Sequence, residues 1–259
     1  MSLRALLGEI CAGVEIYYTG RSDGDYFKTA FVLCDDYSEL TAKLYLLRDN
    51  PRWKDTRDKE ARRFQKAREN VAAQAAGSGT ATPEEIALVA QGGRSDSFKN
   101  YGEVLGDVRK VFESRRAREV STLDKLHDGF RARRDTRNNL FHSANFLNLH
   151  VSRDEVVRAF CDLLDYGLLL FGEGWRRELN GVRQMETFEM LLRLEHKSAN
   201  NQRLRERIKK VFQDFPRNDT PRARGWSVVQ ADHDLHLRLC VLYGDSELKN
   251  QLKVLLDNN

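Results

Sequence analysis

Proline occurs only four times in 259 residues, so little in this chain interrupts a long helix. Cysteine is equally rare. Cys11, Cys34, Cys161 and Cys240 are scattered, with no CxxC pair and no histidine at metal-ligand spacing. That excludes a disulfide-stapled scaffold and the usual zinc modules. Three of the four fall in apolar helical stretches and read as reduced core thiols of a cytoplasmic protein. No apolar run approaches the ~20 residues a membrane helix needs. Glu9 and Glu15 break the N-terminal apolar stretch, which excludes the core of a secretory signal. A large excess of one charge is also missing: 43 Lys and Arg against 39 Asp and Glu give +4. That balance does not by itself imply nucleic acid.

Charge of both signs is what the chain has in quantity. Charged residues make up 32 % and mean hydropathy is −0.61, which predicts a strongly solvated surface. The length still allows a sizeable core, as one large domain or two small ones. Thirty arginines stand against thirteen lysines. A guanidinium suits bidentate phosphate binding, although high genomic GC content gives the same bias.

Helical periodicity dominates. Leu3, Leu7, Ile10, Val14 and Tyr17 predict an amphipathic helix over 3–18. Phe27, Phe31, Cys34, Tyr37, Leu40, Leu44 and Leu47 predict a second over 25–48, paired with the first as an antiparallel hairpin. Residues 52–100 read as a surface insertion. Its charged helix carries Arg57, Lys59, Arg62, Arg63, Lys66 and Arg68, and a flexible break follows at Gly77-Ser-Gly-Thr. Thr82-Pro83-Glu84-Glu85 then starts a short helix with cap, first-turn proline and N3 glutamate in place. Gly92-Gly93 opens a second break.

A helix over 101–120 turns Val104, Leu105, Val108, Val111 and Phe112 inward. The next carries Leu123, Leu126 and Phe130, then runs into Arg131, Arg133 and Arg134. Ser152-Arg-Asp-Glu155 is a capping box opening a strongly apolar helix, which Gly172-Glu-Gly174 stops. Helices follow over about 182–197 and 202–215 and at the end of the chain. Between them, residues 226–242 partly alternate, which predicts a short strand or hairpin. The expected domains are 1–175, including the insertion, and a C-terminal extension over 176–259.

The sharpest feature is Arg137-Asn138-Asn139-Leu140-Phe141-His142. An Arg five positions before a His is expected about 0.7 times per chain of this composition, so the pair alone is no signal. Requiring Asn directly after the Arg lowers the expectation to about 0.04. At ~100° per residue Asn138 and His142 share a helix face, with Arg137 at its edge. A guanidinium can neutralise a phosphate through paired N–H donors. An imidazole, with an ordinary pKa near ~6.5, can move a proton to or from a ribose oxygen. RNA cleavage by that route requires no metal and no cofactor. Arg131, Arg133 and Arg134 form a phosphate-tracking surface directly ahead of the motif, tempered by Asp128 and Asp135. The bland alternative is a polar patch of Asn138 and His142 beside a solvated arginine.

A helical hairpin followed by Arg-x4-His on a later helix resembles the HEPN superfamily, whose ribonuclease members share an Arg-x4–6-His motif. Arg137, Asn138 and His142 match it. Glu39 and Lys43, one turn apart on the second helix, look like the Glu-x3-Lys pair of some members, or an ordinary surface pair. The resemblance covers about 1–51 and 101–172. Some members carry a modifiable Tyr two positions after the His. Ala144 stands there, which puts that control in doubt.

The resemblance implies an all-α, up-down helical bundle and a metal-independent endoribonuclease of toxin or antiphage type. It implies no cofactor, an RNA substrate such as tRNA or mRNA, and an antitoxin or defence-system partner; that nothing spans a membrane follows from the lack of a long apolar run. It also implies a homodimer in which Arg137 and His142 of both chains meet, with Arg131, Arg133, Arg134, Lys43 and Glu39 facing RNA. Acid–base cleavage wants two proton-transfer groups, and a two-fold axis supplies the second. Two other readings stay open: a non-catalytic module binding RNA or protein, and an inactive sensor whose C-terminal segment recognises a partner. His233 and His236, with Asp232 and Asp234, read as surface residues rather than metal ligands. His127, His150 and His196 carry no pattern.

Overall fold

The computed structural model describes residues 2–19, 25–90, 101–142, 150–182, 184–214 and 246–258. Among them the chain is all-α, as its periodicity predicts, and holds no strand. The hairpin expected over 226–242, together with Cys240, His233 and His236, lies outside the described residues. No helix among the described residues is long and apolar enough to cross a membrane.

The chain groups into two compact units: residues 1–41 with 121–259, and residues 42–120. The expected C-terminal extension, 176–259, falls within the first. That unit opens with α1 (Leu3–Thr19) and most of α2 (Asp25–Asp49). It continues through α6 (Val120–His142), α7 (Arg153–Phe171), α8 (Glu173–Gly181), α9 (Met185–Ser198), α10 (Gln202–Asp214) and α11 (Ser246–Asp257). Helix α7 is its axis. Ser152 accepts from the Glu155 N–H while the Glu155 carboxylate answers the Ser152 N–H, so the expected capping box is built. Eleven buried residues line α7, Phe160, Leu163 and Tyr166 among them.

Two glycines admit close packing. A Cβ on Gly13 of α1 would lie 2.7 Å from the Tyr37 ring of α2. One on Gly167 of α7 would lie 2.3 Å from the ring of Trp175, which is itself buried. Cys11, Cys34 and Cys161 are buried, unbridged thiols, as their apolar context predicts. Burial, with Glu15 beside it, pushes Cys11 up to about 11, and burial pushes Cys161 up to about 12.

A half-buried polar knot ties α1, α7 and α9. The Tyr17 hydroxyl donates to Glu195 Oε2 at 2.7 Å, and Arg153 Nε donates to Tyr17 at 3.0 Å. Arg153 Nη2 lies 3.4 Å from Glu195 Oε1. Burial raises the Glu195 carboxyl above its ordinary range against the opposing pull of Arg153.

The second unit holds the end of α2, then α3 (Trp53–Ala75), α4 (Pro83–Ala90), α5 (Tyr101–Arg116) and a single 3-10 turn (Ala117–Glu119). Phe64 and Ala67 are buried on the charged α3. The break expected to be flexible after α3 is instead a closed turn. Gly77 sits at φ +73, its N–H bonds to Gln74 O at 3.0 Å, and the Ser78 N–H bonds to Ala73 O at 2.9 Å. This is the Schellman arrangement, which satisfies the last carbonyls of a helix. Thr82 and Glu85 then cap α4 reciprocally, and Asn70 Nδ2 of α3 donates to Glu85 at 2.7 Å.

Candidate functional site

The inner face of α2 keeps the expected Phe31, Cys34 and Tyr37 but departs from the expected stripe beyond them. Ala30, Phe31, Cys34, Tyr37, Tyr45 and Leu46 are buried, and so are the polar Asp35, Ser38 and Thr41. Leu40, Leu44 and Leu47 are only half-buried. Polar groups survive there because two of them bond to their own helix. Ser38 Oγ donates to Asp35 O at 2.6 Å and Thr41 Oγ1 to Tyr37 O at 2.7 Å. Asp35 has no such local solution.

Its partners come from α6. Leu123, His127 and Phe130 are buried on one stripe of that helix, and the same three-and-four spacing continues to Arg134 and Arg137. These two arginines therefore point inward rather than to solvent. Arg134 Nε lies 3.0 Å from Asp35 Oδ2, and its Nη2 pairs closely with Glu39. Arg137 Nε lies 3.6 Å from the same Asp35 oxygen, and its Nη2 is 3.0 Å from Asp36 Oδ1. The outcome is an alternating chain of charge: Asp36, Arg137, Asp35, Arg134, Glu39. Asp35 keeps 1 % of its side-chain surface exposed, Arg137 24 % and Asp36 44 %. Burial pushes the Asp35 carboxyl up to about 6, against the lowering pull of Arg134 and then Arg137.

Arg133 turns the other way. Its Nη1 donates to Asp162 Oδ2 of α7 at 2.7 Å, and its guanidinium lies 4.8 Å from the Phe130 ring centre. Arg131 pairs with Asp128 on the surface at 2.8 Å. Each of the four arginines expected to meet phosphate is thus also within ion-pair distance of a carboxylate. Asn138 is exposed and Lys43 half-buried. His142 is the last residue of α6, three turns beyond Phe130 along the same helix. The His142 side chain and residues 143–149, with Ala144, lie outside what the structure describes.

The sequence reading missed the acid side of this cluster. Asp35, Asp36 and Asp162 received no role, although Asp35 directly follows a core cysteine and precedes Ser38 by three residues. The other signal was the arginine spacing itself, which continues an apolar stripe. His127 also proves to be a core residue, with Nε2 3.3 Å from the Tyr166 hydroxyl. Among the described residues no group of three His, Cys, Asp or Glu is placed to hold a metal ion. No family model, curated protein or solved structure matches the chain.

Proposed function

We propose that this protein is a metal-independent endoribonuclease of HEPN type. The observation supporting this is that Arg137 is braced by Asp35 and Asp36 on the helix that ends at His142. A guanidinium held on two carboxylates loses little conformational entropy when a phosphate arrives, which is how a pre-organised charge stabilises a transition state. His142 takes the proton of the ribose 2′-hydroxyl. Its counterpart in a homodimer, or water, protonates the departing 5′-oxygen. Arg137 stabilises the phosphorane, Asn138 orients the imidazole or bonds a phosphate oxygen, and the products end in 2′,3′-cyclic phosphate. Arg131 and Lys43 track the RNA backbone, while Arg133 and Arg134, held by Asp162 and by Asp35 with Glu39, keep α6 and its motif in place. The chain acts as a toxin or antiphage effector in the cytoplasm, controlled by an antitoxin or defence-system partner.

The experiment is RNA cleavage in EDTA by the wild-type chain, His142→Ala and Arg137→Ala, with an all-deoxy oligonucleotide alongside. Loss of the general acid–base residue is expected to slow cleavage about 10²–10⁴-fold, with the DNA untouched. Equal activity in His142→Ala, or scission of the DNA, removes this mechanism.

A second reading has its own observation. Because Arg131, Arg133, Arg134 and Arg137 all lie within ion-pair distance of a carboxylate, the surface offers RNA less positive charge than the sequence suggests. That favours a non-catalytic helical module that binds a protein. A stable protein complex on co-purification, with no RNA scission and at most weak, salt-sensitive RNA binding, would select it.

A further inference from the structure

A cavity of about 480 Å³ lies between α9 and α11 in the first unit, away from the arginine cluster. That volume is in the range of small-ligand pockets, roughly 300–1,000 Å³. Its lining follows from two helix faces. On α9, Arg193 and Lys197 stand one turn apart. On α11, Lys249 and Lys253 do the same. Two i,i+4 pairs of like charge on different helices thus converge on one space, an arrangement that costs a few tenths of a kcal/mol per pair without an anion to relieve it. Met190 and Leu256 supply apolar wall between them.

The cations are not equivalent. Arg193 Nη2 is held by Asp165 at 2.6 Å and Glu189 at 3.2 Å, so its charge is already answered. Lys197 Nζ donates to Leu256 O at 3.2 Å, tying the end of α9 to the last turn of α11. Lys249 and Lys253 make no ion pair with any described carboxylate. Glu186 and Asp257 also border the cavity and form no ion pair with either lysine. They limit how much anionic charge the site tolerates and disfavour a polyanion such as RNA. Two ammonium groups one turn apart match a single doubly charged phosphate, which Lys recognises as a compact point charge. The apolar wall suits an organic body attached to it.

We propose that the cavity between α9 and α11 binds a small phosphomonoester, its phosphate on Lys249 and Lys253 and its apolar body on Met190 and Leu256. This does not depend on the ribonuclease reading.

The test is titration calorimetry of the full chain at low salt with phenyl phosphate, inorganic phosphate and benzyl alcohol. Phenyl phosphate is expected to bind one-to-one, inorganic phosphate more weakly, and benzyl alcohol not measurably. Lys249→Gln with Lys253→Gln should weaken phenyl phosphate about tenfold or more, the loss expected when charge-assisted hydrogen bonds to a phosphate are removed. Neither lysine side chain bonds to another described residue, so an unchanged melting temperature will report an intact fold. Met190→Ala should weaken phenyl phosphate while leaving inorganic phosphate as it was. No saturable binding of phenyl phosphate at millimolar concentration overturns the proposal. So does binding that the double lysine variant leaves unchanged.

Discussion

Asp35 is the most exacting position in the arginine cluster, because two effects of opposite sign act on one carboxyl. Burial disfavours its anion, while Arg134 at 3.0 Å and Arg137 at 3.6 Å favour it. The balance falls to burial, lifting the carboxyl from 3.8 to about 6. The folded state therefore holds this proton more tightly than the unfolded chain. Its contribution to stability is complete below the unfolded pKa and is lost as pH rises through the folded one. A rise of about two pKa units corresponds to roughly 3 kcal/mol, lost between about pH 4 and pH 7. Asp35→Asn keeps the shape and cannot titrate, so it is the reference. Urea unfolding of both proteins across that range should give a wild-type minus variant stability that declines by up to about 3 kcal/mol as pH rises. A flat difference, or one that grows with pH, would mean that the two guanidiniums outweigh the desolvation, and the reasoning fails.

Two further substitutions probe the frame around the cluster. Gly167→Ala improves helix propensity by about 1 kcal/mol but drives a Cβ into the buried Trp175 ring, so a net loss of about 1–2 kcal/mol is expected. A raised melting temperature would contradict that close approach. Glu195→Leu removes the acceptor of the Tyr17 hydroxyl and the counter-ion of Arg153, and should cost about 2–3 kcal/mol in chemical unfolding. Glu195→Gln retains an oxygen for Tyr17 and should cost less. Equal losses in the two variants would show that the hydrogen bond contributes nothing.

Helix positions were legible wherever an apolar stripe was continuous. Leu7, Ile10 and Val14 marked α1, and the Ser152–Glu155 pair marked the start of α7, since caps and periodicity are local properties. The face of α2 was legible only in part: Phe31, Cys34 and Tyr37 are buried as expected, whereas Leu40, Leu44 and Leu47 are not. Its inward side carries Asp35, Ser38 and Thr41, which a hydrophobicity pattern assigns to solvent. Only the arginines of α6, about a hundred residues away, make a buried aspartate tolerable. The closed turn after α3 was misread for a related reason: Gly77 reads as slack until the bonds to Gln74 and Ala73 are seen. Of the candidate site, the helix bearing Arg137 and His142 was readable, and the carboxylates across from it were not.

The three inward thiols give this molecule a clock of its own. Cys11, Cys34 and Cys161 are shielded, and burial keeps each as the unreactive neutral form at physiological pH. With Cys240 replaced by serine, a bulky disulfide reagent could reach them only when the helices part. The rate of colour release would then time the opening of α1, α2 and α7 separately, one cysteine left in place at a time.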